Sequence, residues 1–413
     1  MSGVSNSKLL GVVGGGYVGI NIATLAALRG FDVVVVDIKK EVVDSINRMV
    51  PPIRDPFVEE NWNNVRNKIR ATQDYSELSD AERVVVAVNT PLKAYGRKLV
   101  KLLESDKVNM DAFIDFSPLE EAGRRLGEVL KPRAIVSSET TIYPSGTAER
   151  FVTHFVATAG VSTSEQISFV HSPERISLGD RVWNISNIPR VVGAFDDEDL
   201  KDGIRFYSEE LGVPVAKATG ILEAELSKLI ENSQRLINIA FISSVRASTA
   251  LIELDFYEAL DAATTKPFGF TYYAPGYAGG PCLVKDTVML YVWMKARNVH
   301  HYFVDLLKQA IIANEYYTIF LSLRLAEIAR RKKAKKILLH GLGYKPGSKA
   351  FANEDLNVVW RVRTELLDLG FGVKTYDPDI PEKSDFSSYE EAKAWADLIV
   401  GWGKEGDVRL ERL

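Results

Sequence analysis

The N-terminal half of the chain alternates short apolar runs with stretches whose apolar residues recur at helical spacing. One such helical stretch, Ile20–Leu28, lies between the first two runs. Uninterrupted apolar strands separated by helices are typical of a parallel sheet that is covered on both faces. We therefore predict a doubly wound α/β domain. Its predicted strands are Lys8–Val13, Phe31–Val36, Arg83–Val88, Ala134–Ser138 and Ile167–Val170.

The pattern becomes helical in the middle of the chain and returns to α/β near the end. One long helix is predicted over residues 219–251, and residues 286–330 are mostly helical again, with a loop rich in glycine and proline between them. Lys336–His340 and Gly372–Tyr376 then flank a further helical stretch, which predicts a second, smaller βαβ unit. The domains predicted from this change of pattern are residues 1–200, 201–330 and 331–413.

Composition excludes several classes of function. The 413 residues carry 51 Lys and Arg against 55 Asp and Glu, so no global basic field favours nucleic acid. A single cysteine excludes an intramolecular disulfide, and five scattered histidines leave no Cys/His zinc cluster. No stretch reaches the roughly 18 uninterrupted apolar residues of a membrane span. We expect a cytoplasmic protein that holds no metal and binds neither nucleic acid nor membranes.

A glycine motif follows the first predicted strand and opens the first predicted helix. In Gly14-x-Gly16-x-x-Gly19 the first glycine allows a tight turn and the second lets the backbone approach a pyrophosphate. The third lets the helix pack closely on the sheet, which places the phosphates at the N-terminus of the helix. A tight turn without a ligand is the alternative, but the strand and helix around the motif favour a dinucleotide site.

An acidic residue at the end of the next strand indicates which dinucleotide is bound. Asp37 lies 18 residues after Gly19, where its carboxylate can accept hydrogen bonds from both ribose hydroxyls and would repel a 2′-phosphate. NAD is therefore favoured over NADP, although Lys39 and Lys40 work against that preference. Polar residues also follow other predicted strands, at the sheet edge where open α/β sheets bind ligands. These residues are Asn89-Thr90-Pro91, Glu139-Thr140-Thr141 and His171-Ser172-Pro173-Glu174.

Two further features carry candidate chemistry. Lys228, Asn232 and Arg235 fall on one face of the long predicted helix, a polar stripe that fits a site and fits a solvated face as well. Cys282 follows Gly279-Gly280-Pro281 and precedes a predicted helix, where a thiolate is stabilised, although a lone cysteine is usually a buried structural thiol. Together with an NAD site, these residues suggest aldehyde chemistry through a thiohemiacetal and a thioester.

A series of motifs extends over nearly the whole chain. The series is Gly14-x-Gly16-x-x-Gly19, Val88-Asn89-Thr90-Pro91, Glu139-Thr140-Thr141, Ser172-Pro173-Glu174, Lys228 with Asn232, Gly279-Gly280-Pro281-Cys282, and Gly341-Leu342-Gly343-Tyr344-Lys345-Pro346. In this order it resembles the nucleotide-sugar 6-dehydrogenases, which oxidise the C6 alcohol of a UDP-hexose to a carboxylate with two NAD. The resemblance implies two Rossmann-like doubly wound parallel-sheet domains, one binding NAD and one binding the UDP-sugar. They would be joined by an all-helical catalytic domain whose long helix forms a homodimer.

The resemblance also implies roles for residues that match the motifs of this family. Cys282 is expected to be the nucleophile, and the Lys228 ammonium is expected to stabilise developing oxyanions. Asn232 would hold the C6 oxygen, and Asp286 would orient or activate water. Glu174 would serve the acid/base and thioester-hydrolysis steps.

Thr141 is expected to position the water of the hydrolysis step. The cofactor-binding residues that the resemblance implies are Gly14, Gly16, Tyr17, Val18, Gly19, Asp37, Thr90, Pro91 and Thr141. The substrate-binding residues that it implies are Glu174, Arg175, Lys228, Asn232, Arg235, Tyr273, Gly279 and Lys345.

The motifs also bear on which sugar is bound. The stretch Glu231–Phe241 resembles the branch acting on UDP-N-acetylhexosamines, because the UDP-glucose branch usually has an apolar residue at the Arg235 position. The stretches Ser172–Arg175 and Thr265–Phe270 favour the same branch, whereas Lys285 before the catalytic acid resembles the UDP-glucose branch. We expect UDP-ManNAc or UDP-GlcNAc as substrate, with UDP-glucose as the alternative.

Three departures from the family pattern concern substrate binding. Ala352-Asn353-Glu354-Asp355 stands where the family has Arg-Glu-Ser-Pro, so the nucleotide-binding arginine is missing unless Arg361 or Arg363 replaces it. Ser243-Ser244 replaces Asn-Glu, and the third lobe is short. Two alternatives stay open at this point. One is a two-electron β-hydroxyacid-type dehydrogenase, which needs no cysteine, and the other is a non-catalytic dinucleotide-binding protein.

Overall fold

The chain forms two compact units. The first contains the chain up to Pro91 together with Ile114–Ile230, and the second contains Leu92–Phe113 together with Glu231–Leu413. The division into domains 1–200, 201–330 and 331–413 stays a prediction. The computed structural model describes residues 8–105, 109–176, 180–250, 252, 254–348, 351 and 353–413.

Each unit is built on one sheet of short apolar strands. The described strands are β1 (Leu9–Val13), β2 (Asp32–Val36), β3 (Ile69–Thr72), β4 (Arg83–Val86), β5 (Ile135–Ser138), β6 (Ser168–His171), β7 (Arg190–Ala194), β8 (Val215–Gly220), β9 (Lys336–His340), β10 (Gly372–Tyr376), β11 (Leu398–Gly401) and β12 (Val408–Arg409). Within the described residues, the first sheet has the order β3-β2-β1-β4-β5-β6-β7-β8 and the second the order β10-β9-β11-β12. Neighbouring strands pair in parallel apart from β6 and β7, which pair antiparallel.

Helices connect these strands and form most of the middle of the chain. The described helices are α1 (Tyr17–Leu28), α2 (Lys40–Asn47), α3 (Pro56–Val65), α4 (Gly96–Glu104), α5 (Met110–Phe113), α6 (Ser117–Val129), α7 (Thr153–Ala159), α8 (Val161–Ser164), α9 (Asp197–Arg205), α10 (Ile221–Thr249), α11 (Phe256–Thr264), α12 (Leu283–Lys295), α13 (His301–Arg331), α14 (Val358–Asp368) and α15 (Tyr389–Trp395). The parallel α/β architecture and the long central helix predicted from the sequence are confirmed.

The inner strands of the first sheet, β1, β2, β4, β5, β6 and β7, are buried because helices cover them, whereas the edge strand β8 is partly exposed. Leu10 and Val12 of β1 have no exposed surface, and Val33 and Val35 of β2 are almost as deeply buried. Such strands carry no alternation of polar and apolar residues, as expected of a parallel sheet with two covered faces. The ends of neighbouring parallel strands then lie along one edge of the sheet, where the polar residues predicted to form a site follow them.

In the second unit, helices α13 and α14 pack against the smaller sheet. Leu321 and Leu325 of α13 and Val359 and Val362 of α14 join Leu339 of β9 in one buried cluster. The region predicted as mostly helical over residues 286–330 consists of α12 and α13, and α12 begins slightly earlier, at Leu283. The segment Leu92–Phe113, which carries α4 and α5, belongs to this unit although it follows β4 in sequence.

A buried ion pair lies in the first unit. Arg190 of β7 has its Nη1 3.1 Å from Oε2 of Glu139, and both side chains are almost completely buried. The Tyr207 hydroxyl donates to Oε1 of the same carboxylate at 2.9 Å. Burial raises the pKa of the Glu139 carboxyl, and the Arg190 guanidinium opposes that shift. Removing one partner of such a pair leaves an uncompensated charge in the interior.

We predict that Glu139→Gln lowers the free energy of unfolding by about 3 kcal/mol at pH 8, because the buried Arg190 guanidinium loses its counter-charge. The thermal midpoint is expected to fall by about 10 °C. Circular dichroism melting curves measure it. Glu121→Gln is the matched control, since Glu121 pairs with Arg125 on the exposed face of α6 and should change stability by less than about 1 kcal/mol. Equal midpoints for Glu139→Gln and the wild type would show that the pair is energetically neutral.

Candidate active site

The glycine motif forms a tight loop between β1 and α1. Gly14 has a φ of 99°, and a Cβ there would meet the carbonyl oxygen of Ala87 at 2.7 Å. A Cβ at Gly19 would overlap the carbonyl oxygen of Gly14, so only glycine lets α1 begin this close to the loop. A Cβ at Gly16 would meet nothing within 4 Å. The loop is therefore closed on the protein side and open on the side where a dinucleotide would lie.

The start of α1 and the end of β2 fit a dinucleotide. Gly16 is the N-cap of α1 and supplies no capping side chain, so the first amides of the helix are left for an anion. Asp37 is held by two backbone donors, since its Oδ2 accepts from the Gly15 amide at 2.6 Å and its Oδ1 from the Lys39 amide at 2.8 Å. An ionised carboxylate has further lone pairs for ribose hydroxyls. These residues fit NAD.

The other predicted cofactor residues lie in the same unit. Thr90 is buried and its Oγ1 donates to the Thr141 carbonyl at 3.1 Å, which brings together the segments that follow β4 and β5. Pro91 is exposed directly after Thr90. In the first turn of α1, Val18 is half-buried and the Tyr17 hydroxyl donates to the Arg54 carbonyl at 3.4 Å.

Lys228 and Glu174 are brought together in this unit. The Lys228 side chain is only 9% exposed, and its Nζ donates to the Glu174 carbonyl oxygen at 2.5 Å. The Glu174 side chain accepts from the Ile176 amide, which turns the segment after β6 back on itself. The Nη1 of the neighbouring Arg175 donates to the Pro189 carbonyl at 3.0 Å. The polar stripe on the long helix is therefore partly buried at Lys228.

Glu225, one turn before Lys228 on α10, is a residue that sequence reasoning missed. Its carboxylate accepts from the amides of Ser145 at 2.7 Å and Thr147 at 2.8 Å. Burial raises the pKa of this carboxyl to about 7. Ser145 has a φ of 82°, so the loop after β5 bends sharply to present its amides. These bonds connect that loop to the helical turn that carries Lys228. In the sequence, the one signal of these bonds is an acidic residue on the largely apolar helix α10.

Asn232 and Asp286 are brought together in the second unit. Asn232 Nδ2 donates to Asp286 Oδ2 at 2.5 Å, and Asp286 has no exposed surface. The other carboxylate oxygen lies 3.2 Å from the Lys285 ammonium. Asn232 is four residues after Lys228, so both side chains leave the same face of α10. The carboxylate is thus held by an amide on one side and a cation on the other.

Cys282 is the N-cap residue of α12 and is exposed. The Asp286 amide donates to the Cys282 carbonyl at 2.9 Å, which closes the first turn of the helix. A thiolate at this position is stabilised by the amides at the helix N-terminus. The alternative of a buried structural thiol does not fit, because this cysteine is exposed.

The remaining predicted substrate residues lie on different surfaces of the second unit. Arg235 is exposed on α10, and Tyr273 packs against a small apolar cluster that includes Phe256. Gly279 lies in the loop before Cys282. Lys345 is exposed with its Nζ 5.5 Å from the centre of the Tyr344 ring. Tyr344, Lys345 and the aromatic rings near them line a cavity of about 400 Å³.

The surroundings of Arg361 and Arg363 show whether either residue could replace the missing nucleotide-binding arginine. Ala352, which stands at its position, lies outside the described residues. The Arg361 guanidinium forms a salt bridge with Glu315, in which Nη1 and Oε2 are 2.9 Å apart. Arg363 has its guanidinium 4.9 Å from the ring centre of Trp360. Arg361 is therefore not available as a replacement.

The glycine loop at the start of α1 and the acid after β2 are those of a dinucleotide-binding domain. Comparison with known families agrees. Residues 8–210 match the NAD binding domain, and residues 222–316 the central domain, of the UDP-glucose/GDP-mannose dehydrogenase family. The chain belongs to this family of oxidoreductases, and the resemblance identified from its motifs is confirmed.

Individual relatives are similar at modest identity. Protein CapL of Staphylococcus aureus is 31% identical over 303 residues, which are 72% of this chain and 64% of that protein. The UDP-N-acetyl-D-mannosamine dehydrogenase of Pyrococcus horikoshii is 28% identical over 95% of this chain and 88% of that protein. A solved UDP-D-ManNAc dehydrogenase structure from P. horikoshii has a TM-score of 0.81 at 26% identity, covering 95% of this chain and 88% of that one. No described helix is both long enough and apolar enough to cross a membrane.

We predict that alanine at two glycines of the same loop changes two different properties, NAD affinity in one variant and thermal stability in the other. Gly16→Ala should leave the thermal midpoint within about 2 °C of the wild type and weaken NAD binding at least tenfold, because its methyl group enters the open space left for the pyrophosphate. Gly19→Ala should lower the midpoint by several degrees, because its methyl group overlaps the Gly14 carbonyl. Isothermal titration calorimetry and thermal melting measure the two effects. Unchanged NAD affinity in Gly16→Ala would contradict this placement of the cofactor.

Proposed function

We propose that the protein is an NAD-dependent 6-dehydrogenase that oxidises the C6 alcohol of a UDP-N-acetylhexosamine, UDP-ManNAc or UDP-GlcNAc, to the uronic acid. The observation that supports this proposal most directly is the Asn232–Asp286 hydrogen bond one turn into the helix that begins at the exposed Cys282. A two-electron alcohol dehydrogenase has no use for a nucleophilic thiol there. Membership of an oxidoreductase family with an NAD binding domain supports the same conclusion.

The first oxidation converts the alcohol to an aldehyde. NAD, held by the Gly14–Gly19 loop and Asp37, would supply the hydride acceptor for this step and for the second oxidation. Asn232 holds the C6 oxygen, and the Lys228 ammonium stabilises the negative charge that develops on it. Lys228 is suited to this role because its ammonium is nearly buried, where electrostatic interactions are stronger than in water.

The second oxidation passes through a covalent bond to Cys282. The thiolate adds to the aldehyde carbon and gives a thiohemiacetal, whose C6 hydrogen leaves as hydride to give a thioester. Water then attacks the thioester carbonyl, which releases the acid and restores the thiolate. The proposed roles are activation of this water by Asp286, its positioning by Thr141, and acid/base catalysis by Glu174. The overall change converts one alcohol, two NAD⁺ and one water into one carboxylate, two NADH and three protons.

The choice of sugar is supported by sequence and by relatives. Arg235 on α10 favours the N-acetylhexosamine branch, and it is exposed and therefore accessible to a ligand. Relatives named as UDP-N-acetyl-D-mannosamine and UDP-N-acetyl-D-glucosamine dehydrogenases match at 28% and 30% identity. UDP-glucose is the second candidate, favoured by Lys285 before Asp286 and by a UDP-glucose 6-dehydrogenase from Haloferax volcanii at 26% identity.

We also propose that the protein is a homodimer through its central helices. Phe241 of α10 is 62% exposed, and Phe303 and Leu306 of α13 are 71% and 59% exposed. Large apolar side chains that are exposed on long helices favour association with another apolar surface. A second copy of the chain supplies such a surface through a two-fold axis.

We expect Phe303→Glu to convert a wild-type dimer into monomers, because a carboxylate at this exposed apolar position would be buried without a partner in the dimer. Light scattering coupled to gel filtration measures the mass. Val182→Glu is the matched control, since Val182 is 67% exposed and belongs to the segment between β6 and β7 rather than to a central helix. A monomeric wild-type protein would contradict the proposal.

The decisive test of the activity is the number of NADH molecules formed per sugar. With limiting UDP-ManNAc, UDP-GlcNAc or UDP-glucose and excess NAD, we expect two NADH from one of the N-acetylhexosamines. Cys282→Ser should slow acid formation at least a hundredfold, because an ester replaces the thioester and is hydrolysed poorly. One NADH per sugar would indicate a simple alcohol dehydrogenase. None, with NAD still bound, would indicate a non-catalytic protein.

A further inference from the structure

The loop that precedes the cysteine, Tyr277–Pro281, is held from two sides. On one side the Ala278 amide donates to Asn314 Oδ1 of α13 at 2.7 Å. On the other side the Gly280 amide donates to the Leu356 carbonyl, just before α14, at 3.3 Å. Backbone amides in a loop need such partners when the loop is buried. These two bonds connect the loop to α13 and to the segment just before α14.

A buried charge pair fixes the first residue of this loop, Tyr277. Arg361 Nη1 lies 2.9 Å from Glu315 Oε2 and donates to the Tyr277 hydroxyl at 2.5 Å. The Arg361 guanidinium also lies 4.6 Å from the centre of the Tyr277 ring. The exposed fraction is 2% for the Glu315 side chain and 14% for that of Arg361. The planar guanidinium of arginine holds its partners in a defined geometry, so the ring position is closely specified.

The same carboxylate binds a third segment of the chain. Glu315 Oε2 accepts from the amide of Gly96, the first residue of α4, at 2.8 Å. Gly96 has a φ of 58°, and a Cβ there would come within 3.3 Å of Arg361 Nη2. Gly96 lies five residues after Pro91, a predicted cofactor residue. One buried acid thus joins α4, α13, α14 and the loop before Cys282.

We propose that Glu315, Arg361 and Tyr277 form a positioning cluster for Cys282, in which the buried ion pair holds the loop Tyr277–Pro281 so that the thiol stays at the start of α12. This inference rests on the proposed function, because it assumes that Cys282 is the nucleophile. None of the three side chains reacts with substrate in that mechanism. Their effect on catalysis is geometric, since a displacement of about 1 Å of a reacting group lowers rates by about a hundredfold.

The test compares two cluster variants with one matched control. Tyr277→Phe removes only the hydroxyl that accepts from Arg361, and Glu315→Gln removes the charge while keeping the shape of the side chain. Arg97→Ala is the control, because it breaks an exposed salt bridge between α4 and Glu365 of α14 without touching the cluster. All three changes are made in the full-length protein.

Two readouts separate positioning from folding. Cys282 is the sole cysteine, so the rate of alkylation by iodoacetamide at pH 7.5 reports on this residue alone. We expect alkylation to be at least threefold slower in both cluster variants, because a loosened loop no longer holds the thiolate at the helix N-terminus. We also expect kcat to fall about tenfold with KM for the UDP-sugar changed less than threefold. Arg97→Ala should match the wild type in both.

Other outcomes would overturn the proposal. If Tyr277→Phe and Glu315→Gln lower the thermal midpoint while alkylation and kcat stay at wild-type values, the cluster has only a structural role. Equal losses in Arg97→Ala would show that any change near α4 has the same effect, and would also overturn the proposal. Alkylation needs neither substrate nor turnover. A wild-type protein that forms no NADH would therefore overturn the proposed function, while slower alkylation in the variants would still support the cluster.

Discussion

The helical repeat of α10 is the constraint on which the candidate chemistry depends. Glu225, Lys228 and Asn232 are spaced three and four residues apart, so one face of a single helix presents all three. Each then meets a different partner, and those partners are the loop after β5, the Glu174 carbonyl and the Asp286 carboxylate. The spacing of these three residues along α10 therefore sets which partner each of them meets.

Features set by neighbouring residues were predictable from the sequence. The Gly14–Gly19 loop and the position of Asp37 after β2 follow from local turn and strand geometry. The seven strands that were predicted agree with the structure to within two residues, whereas β3, β7 and β8 were not predicted. The two buried ion pairs, Arg190 with Glu139 and Glu315 with Arg361, could not be predicted, because no pattern in the sequence around Arg190 or Glu315 indicates a partner. Their partners are 51 and 46 residues away in sequence, so only the tertiary fold brings them together. The antiparallel pairing of β6 with β7 was missed for the same reason.

Two buried acids, one in each unit, have the same arrangement of charged and aromatic partners. Glu139 and Glu315 each pair with an arginine, and each arginine stacks near a tyrosine ring, at 5.2 Å for Tyr207 and 4.6 Å for Tyr277. Burial of an ion pair is costly, and replacing such a pair by apolar side chains is often neutral for stability. The geometry that these groups impose on adjacent backbone is therefore a better explanation of their presence than stability is.

The bonds made by Asp37 have a consequence for how cofactor choice can evolve. Its two oxygens accept hydrogen bonds from the amides of Gly15 and Lys39. The residue that would bind the ribose therefore also supports the loop that would bind the pyrophosphate. A substitution that admits a phosphorylated ribose also releases the Gly15 amide inside the glycine motif. Specificity and loop shape are in this sense inherited together, and a lineage that changed cofactor would have to acquire a new support for the loop in the same step.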